Sequence, residues 1–427
     1  MRTFWLPVKG TMLVALAGLL LVAAVTSAQE GPIYIGAGVP LSQPGAVQAG
    51  VEMRWAMQQA VDDINARGGV LGRELRLIAY DTANQPHVAE AAARRLVEDD
   101  KVVAVVGYYH SGAALAAARV YRQAGIPVVF AEPWHDAVTG GDPDDPDYPP
   151  FPPNIFRIAP TSSYASEMVS DWIVNGIKAR KVIQLYEAAD FGLGQARVLR
   201  EQLSAAGVEL IQVQVELNQP DYSAVLARLA REHPDADVVT FDITGESSYI
   251  AEQNAFEVGL LDGDTICLAN QVAQDWRAFW RAVPDGVGCV FQLVGMTPAQ
   301  YNDITRSIAE RFEKEFGTAP KVWALEAYDS VLLVADAIER AGSTDLEKVV
   351  AALEQTHFLG AQGLYQFPYG SHNPLPAGRP SWLWHQWPNP PIQLVQYTAR
   401  NQTLAEAAVV WPVERQTHGV PYVEVRR

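Results

Sequence analysis

Cysteine is almost missing from this 427-residue chain: Cys267 and Cys289 are the only two. No disulfide framework carries the fold, and with no CxxC pair and no His at ligand spacing no cysteine metal site is encoded. Basic residues are also scarce, 32 Lys and Arg against 49 Asp and Glu, for a net charge of −17. Nucleic-acid binding requires clustered cations, so no nucleic-acid partner is expected. Past the first thirty residues no apolar stretch reaches the about 20 residues of a membrane-spanning helix. Catalytic signatures are missing too: there is no GxSxG, no HExxH and no GxxxxGKS or GxxxxGKT. GLGQA (192–196) contains GxG after a strand-like run, but it lacks the third glycine of a dinucleotide loop. The chain reads as a non-enzyme, with no cofactor and no metal. What is present is globular: 49% hydrophobic and 19% charged residues, 32 Gly and 28 Pro, in a length that suits more than one domain.

The first residues stand apart. Arg2 and Lys9 precede and flank an apolar run from Met12 to Val25, and Thr26, Ser27 and Ala28 are small. That run is too short to span a bilayer. Residues 1–28 read as a secretory signal peptide cleaved near Ala28; a membrane anchor is the other reading. No cysteine lies near the cleavage point, so no lipid attachment is expected there. In an oxidising compartment Cys267 and Cys289 can pair. Each also sits in a short apolar run (TICLA, GCVFQLV), where a buried thiol behaves as a small hydrophobe. The sequence leaves both states open.

The rest alternates strand and helix. IYIGAGV (33–39) is a strand, followed by a helix whose Met53, Met57, Ala60, Val61 and Ile64 form one stripe. ELRLIAY (74–80), a helix over 87–98, VVAVVG (102–107), a helix over 111–124 and IPVVFA (126–131) continue the pattern. Between Glu132 and Asn154 it stops in a Pro- and Asp-rich stretch, expected to be a long loop. Asp142, Asp144, Asp145 and Asp147 there lack EF-hand spacing and read as solvated rather than calcium-binding. The rhythm restarts with helices over 162–177, 192–206, 221–232 and 246–258 and strands over 181–186, 208–215, 237–243 and 265–269. Helices over 298–316 and 322–341 follow. The remainder, from 362, is rich in Pro and Trp with one strand, PIQLVQY (391–397). SWLWHQWPNPP (381–391) suits a cap over the hinge or a partner contact, and composition does not choose. Two α/β units, each a parallel-rich sheet with helices on both faces, place a cleft at the carboxyl ends of the strands.

AVDDINARGGVLGRELRLIAYDTANQP (60–86) resembles the first lobe of the leucine/isoleucine/valine-type periplasmic binding proteins. VVAVVGYYHSGAALAAARVYRQAGIPVVFAEP (102–133) matches the next unit of that family. IQLYEAADFGLGQA (183–196) and DYSAVLARLAREHPDADVV (221–239) match the second lobe, and VWALEAYDSVLLVADAIERAG (322–342) the helix that returns to the first. The resemblance implies a type I, Venus-flytrap fold of two lobes joined by hinge crossings. The boundaries it gives are 29–157 with 296–378 for the first lobe, 158–295 with 379–412 for the second, and 413–427 as a tail. It also implies a monomeric periplasmic protein that captures a small amino acid, amide or carboxylate and delivers it to an ABC permease. A sensory module of the same fold is the alternative.

The residues expected around the ligand follow from the same match. Ser111 opens a helix after a strand, where hydroxyl and backbone N–H groups suit a carboxylate; a plain helix cap is its other reading. Tyr109 and His110 precede it. Glu132, Pro133 and Trp134 stand where the family places small ligand-binding residues; Trp134 offers a π face or simply packs the loop. Phe191 and Thr244 stand where tyrosines are common. Asn270 stands about where a glutamate pairs with the ligand's ammonium. A buried ammonium without an anion is costly. Either Glu132, Asp242 or Glu246 takes that place, or the ligand has no free ammonium.

Overall fold

The structure, a computed structural model, describes residues 31–141 and 148–425. The expected signal peptide and the aspartates at 142, 144, 145 and 147 lie outside the described residues. The first sheet is built from β1 (Ile33–Val39), α1 (Val47–Ala66), β2 (Leu75–Asp81), α2 (Pro86–Glu98), β3 (Ala104–Gly107), α3 (Ser111–Ala124), β4 (Val128–Phe130), α4 (Ala137–Gly140) and β5 (Ile155–Arg157). Its five strands run parallel in the order β2-β1-β3-β4-β5. The segment expected to be loop thus contains a short helix, and an edge strand follows directly after it. IFR is too short to show a period, so β5 was hidden in the sequence.

The second sheet follows with α5 (Ser162–Asp171), β6 (Lys181–Glu187), α6 (Asp190–Ala206), β7 (Glu209–Val215), α7 (Ser223–Glu232), β8 (Val238–Asp242), α8 (Ser247–Glu257), β9 (Ile266–Ala269), α9 (Trp276–Ala282) and β10 (Val290–Val294). The chain then returns to the first sheet with α10 (Asp303–Phe316), α11 (Val322–Ala341), α12 (Leu346–Glu354) and the hairpin β11 (His357–Gly360) and β12 (Gly363–Gln366). It ends with β13 (Ile392–Gln396) and β14 (Ala408–Trp411), antiparallel strands on the edge of an otherwise parallel second sheet. No helix among the described residues is long and apolar enough to cross a membrane.

The apolar stripe of α1 packs on α11, and Met53, Met57, Ala60, Val61 and Ile64 are all buried. Helix α11 is buried along almost its whole length, α1 and α11 covering one face of the first sheet and α2 and α3 the other. Gly38 of β1 has no side chain because the Tyr108 ring stands in its place: a Cβ there would meet Tyr108 Cζ at 2.4 Å. The chain leaves β3 through Gly107 and Tyr108, at φ 87° and 64°. The left-handed region suits glycine and strains a tyrosine. Packing of Tyr108 on Phe130 and its 2.6 Å hydrogen bond with Tyr121 hold it there.

The Trp-rich segment covers the exposed edge of β5. Gln386 pairs with Arg157 as an isolated bridge, Trp384 Nε1 donates to Pro152 O and Trp387 Nε1 to Leu364 O. Covering an edge removes a template for unwanted pairing. The last residues dock on the second sheet, where Trp172 Nε1 donates to Pro421 O and Gln396 pairs with Val423. Cys267 of β9 and Cys289, just before β10, form a disulfide with Cα atoms 4.7 Å apart.

Candidate functional site

The carboxyl ends of the two sheets face each other around a narrow cavity. Strand ends explain which side chains reach it. Tyr109, His110 and Ser111 come from the turn after β3, and Glu132 and Trp134 from the loop after β4. On the opposite side Phe191 comes from the first turn of α6, Thr244 and Gly245 from the end of β8, and Asn270 and Gln271 from the end of β9. Of the residues expected at the ligand, Pro133 alone is not on the wall; its carbonyl accepts from Arg157 Nη1 at 3.3 Å.

Several of these side chains hold the site together. Ser111 is not the helix cap; His110 occupies that position. Ser111 Oγ accepts the backbone N–H groups of Trp134 and His135, both at 3.2 Å, which leaves its proton to donate into the cavity. Thr244 is committed to Glu187: its N–H and hydroxyl reach the carboxylate at 2.6 and 2.9 Å. His110 Nε2 meets the same carboxylate at 3.2 Å. The Asn270 side chain accepts from Val272 N and donates to Phe241 O. Asn270 therefore shapes the backbone after β9 and presents no group to a ligand ammonium.

Glu187, Gln271 and Arg157 were not anticipated. Glu187 ends the strand run IQLYE and is fully buried; a charge closing an apolar strand is the signal that could have marked it. Gln271 Nε2 donates to Glu132 Oε1 at 2.9 Å. Arg157, also fully buried, fixes the loop that carries Trp134: it donates to His135 O at 2.6 Å, Thr139 Oγ1 at 2.9 Å and Gln386 Oε1 at 2.6 Å. Burial lowers its guanidinium pKa to about 10.

The electrostatics centre on buried carboxyls. Glu132 lies against Glu326 of α11, and burial raises both; the charge of Glu132 pushes Glu326 further. Like carboxyls at one site retain a shared proton, and Glu326 is the member that keeps it. The other acids proposed as ammonium partners line adjoining cavities. Asp242 faces a narrow one, where burial raises it to about 6. Glu246 faces a larger one near the N-terminus of α1, and burial raises it also. That larger space holds the buried triad Lys321 Nζ to Glu52 Oε1 (2.7 Å) and to Asp275 Oδ2 (3.1 Å).

Four buried polar atoms on the wall of the first cavity have no hydrogen-bond partner: His110 Nδ1, Glu132 Oε2, Trp134 Nε1 and Gln271 Oε1. Buried polar groups are nearly always paired, so their convergence on one space marks what an occupant supplies. The same wall joins the two sheet assemblies through His110 with Glu187, Glu132 with Gln271, and an edge-to-face contact of Trp134 with Phe191 at 6.1 Å.

This geometry agrees with the relatives of the chain. An amino acid binding protein of Pseudomonas aeruginosa is 29% identical over 320 residues, 74% of this chain and 81% of that protein. The crystal structure of a leucine binding protein from Thermotoga maritima superposes with a TM-score of 0.74 at 19% identity, covering 88% of this chain and 97% of that one. A solute binding protein of an ABC transporter from R. palustris, solved in complex with benzoate, gives 0.72 at 16% identity, covering 89% and 96%. The profile of the family described as periplasmic binding protein matches residues 32–377. With that match spanning most of its length, and with two parallel-rich sheets meeting at a cavity, the chain belongs to the periplasmic binding protein family.

Proposed function

We infer that this is an extracytoplasmic solute-binding protein that captures a small molecule between the two sheets and delivers it to an ABC permease. The observation that carries the reading is the cavity at the strand ends with four unpartnered buried polar atoms on its wall. The amino-acid and benzoate ligands of its relatives share a carboxylate. We assign that group, or an amide carbonyl, to the Ser111 hydroxyl and the N-terminus of α3, whose dipole favours it. Trp134 Nε1 supplies a further donor. Because Asn270 is committed to backbone, an ammonium on the ligand would pair with Glu132, whose charge it would stabilise.

In this reading the lobes are 29–157 with 296–378 and 158–295 with 379–412, with 413–427 as a tail; the pairing of Gln386 with Arg157 favours giving 379–387 to the first lobe. The Cys267–Cys289 bond supports an oxidising, periplasmic location after cleavage near Ala28. The working form in this reading is a monomer.

Ser111→Ala tests the placement. Removing the hydroxyl should weaken binding of the captured solute by about 1–3 kcal/mol, the range for stranding a buried polar partner. Calorimetry on both proteins reads this directly, with thermal unfolding confirming that the variant is folded. Unchanged affinity places the ligand elsewhere.

A further inference from the structure

A parallel sheet covered by helices on both faces ordinarily presents apolar side chains on both. The second sheet departs from this rule, and one departure forms a chamber. Gln184, Thr240 and Gln292, all buried, face a narrow cavity between the sheet and α5 and α6, with Asp242 at its end. Gln212, Gln184 and Thr240 are neighbours in register across three strands. Their hydrogen bonds run in one direction: Gln212 Nε2 donates to Gln184 Oε1 at 2.7 Å, and Gln184 Nε2 donates to Asp242 Oδ2 at 2.6 Å. The amide nitrogens of Gln292 and Asn270 are committed to the carbonyls of Ala165 and Phe241.

Apart from the Trp134 Nε1 donor on the wall shared with the first cavity, what remains open in this chamber is acceptor. Gln195 Oε1 is buried without a partner. The Asp242 carboxyl receives hydrogen bonds from Gln184 and Gln195, and the one charge acting on it is that of Glu187, which is of the same sign. A buried carboxylate without a counter-charge is costly. The chamber also adjoins the first cavity: Trp134, Phe191, Asn270 and Gln271 line both.

We propose that the chamber is a second subsite that receives the tail of an elongated ligand, a tail ending in an N–H-rich cation such as an ammonium or guanidinium. The ligand's head occupies the cavity beside Ser111, and its chain passes the Trp134–Phe191 pair, whose rings suit a cationic chain. Asp242 and Gln195 Oε1 accept from the terminal cation. This rests on the solute-binding reading and specifies which solute.

Two matched pairs of probes test it by calorimetry: L-lysine against L-norleucine, and 6-aminohexanoate against hexanoate. The cationic member of at least one pair should bind about tenfold or more tightly than its apolar partner, the scale of a charge-assisted hydrogen bond. Asp242→Asn should abolish that preference, bringing the cationic member's affinity down to that of its apolar partner. Gln195→Leu, which keeps the charge but removes the open acceptor, should reduce the preference in part. Equal affinities within both pairs, or no binding of either cationic probe while other solutes bind, overturn the subsite and leave the solute-binding reading intact. A protein that binds no solute at all overturns both.

Discussion

Arg157 decides the site without touching its cavity. Its guanidinium ties together His135 O, Pro133 O, Thr139 and Gln386, so the loop carrying Glu132 and Trp134 has one conformation. Arg157→Met keeps much of the volume and strands these acceptors, at about 1–3 kcal/mol each. We expect a lowered melting temperature together with weaker solute binding, and an unchanged affinity would show that the loop is positioned by other contacts. Residues of this kind are hard to read in a sequence. Ser111, Trp134 and Phe191 follow strand-like runs, where side chains reach a cleft, and their neighbours match a known pattern. Arg157 sits in a three-residue strand with no period, and its partners are a glutamine 229 residues away, the Thr139 hydroxyl in the irregular loop and backbone carbonyls. Asn270 shows the converse: its position was legible, but its commitment to Val272 and Phe241 depends on a turn that only the structure shows.

Among the elements, the long helices and most of the apolar parallel strands were legible, because burial on both faces writes continuous apolar runs and α1 writes a 3.6-residue stripe; β10, in the run GCVFQLV, was not read as a strand. The edge elements were not. Strands β5 and β14 are three and four residues long, and the Trp-rich segment forms side-chain contacts rather than a repeating pattern. That segment is anchored by Glu354 at the end of α12, which accepts from His385 Nε2 and His372 Nδ1, each at 2.8 Å, and from Ser371. Burial alone would raise this carboxyl, but the hydrogen bonds from His385, Ser371 and His372 outweigh it and hold it well below the carboxylate range. A depressed carboxylate contributes stability above its unfolded value, about pH 4.3, and that contribution is lost as pH falls below it. Glu354→Gln should cost about 1–3 kcal/mol at neutral pH. It should also show a shallower fall in melting temperature on acidification from pH 5 to pH 3. Parallel pH profiles for the two proteins would contradict this anchoring role.

At the scale of the whole molecule, the two sheet assemblies meet through side chains that an occupant would complete. Glu187, Glu132 and Lys321 lie between them with partners on both sides. A solute that completes the wall favours this closed arrangement only by binding it more tightly than an open one. The central claim is therefore that the cavity exists for a solute. A thermal-shift titration of residues 29–427, stripped of bound solute by unfolding and refolding, tests it most directly. The panel holds aliphatic and aromatic amino acids, their amides, aromatic carboxylates and the ω-amino acids that fit the Asp242 chamber. A solute at 100 times its dissociation constant should stabilise the protein by about 2.7 kcal/mol, and Ser111→Ala should lose much of that shift. A melting temperature unmoved by every class would contradict the account.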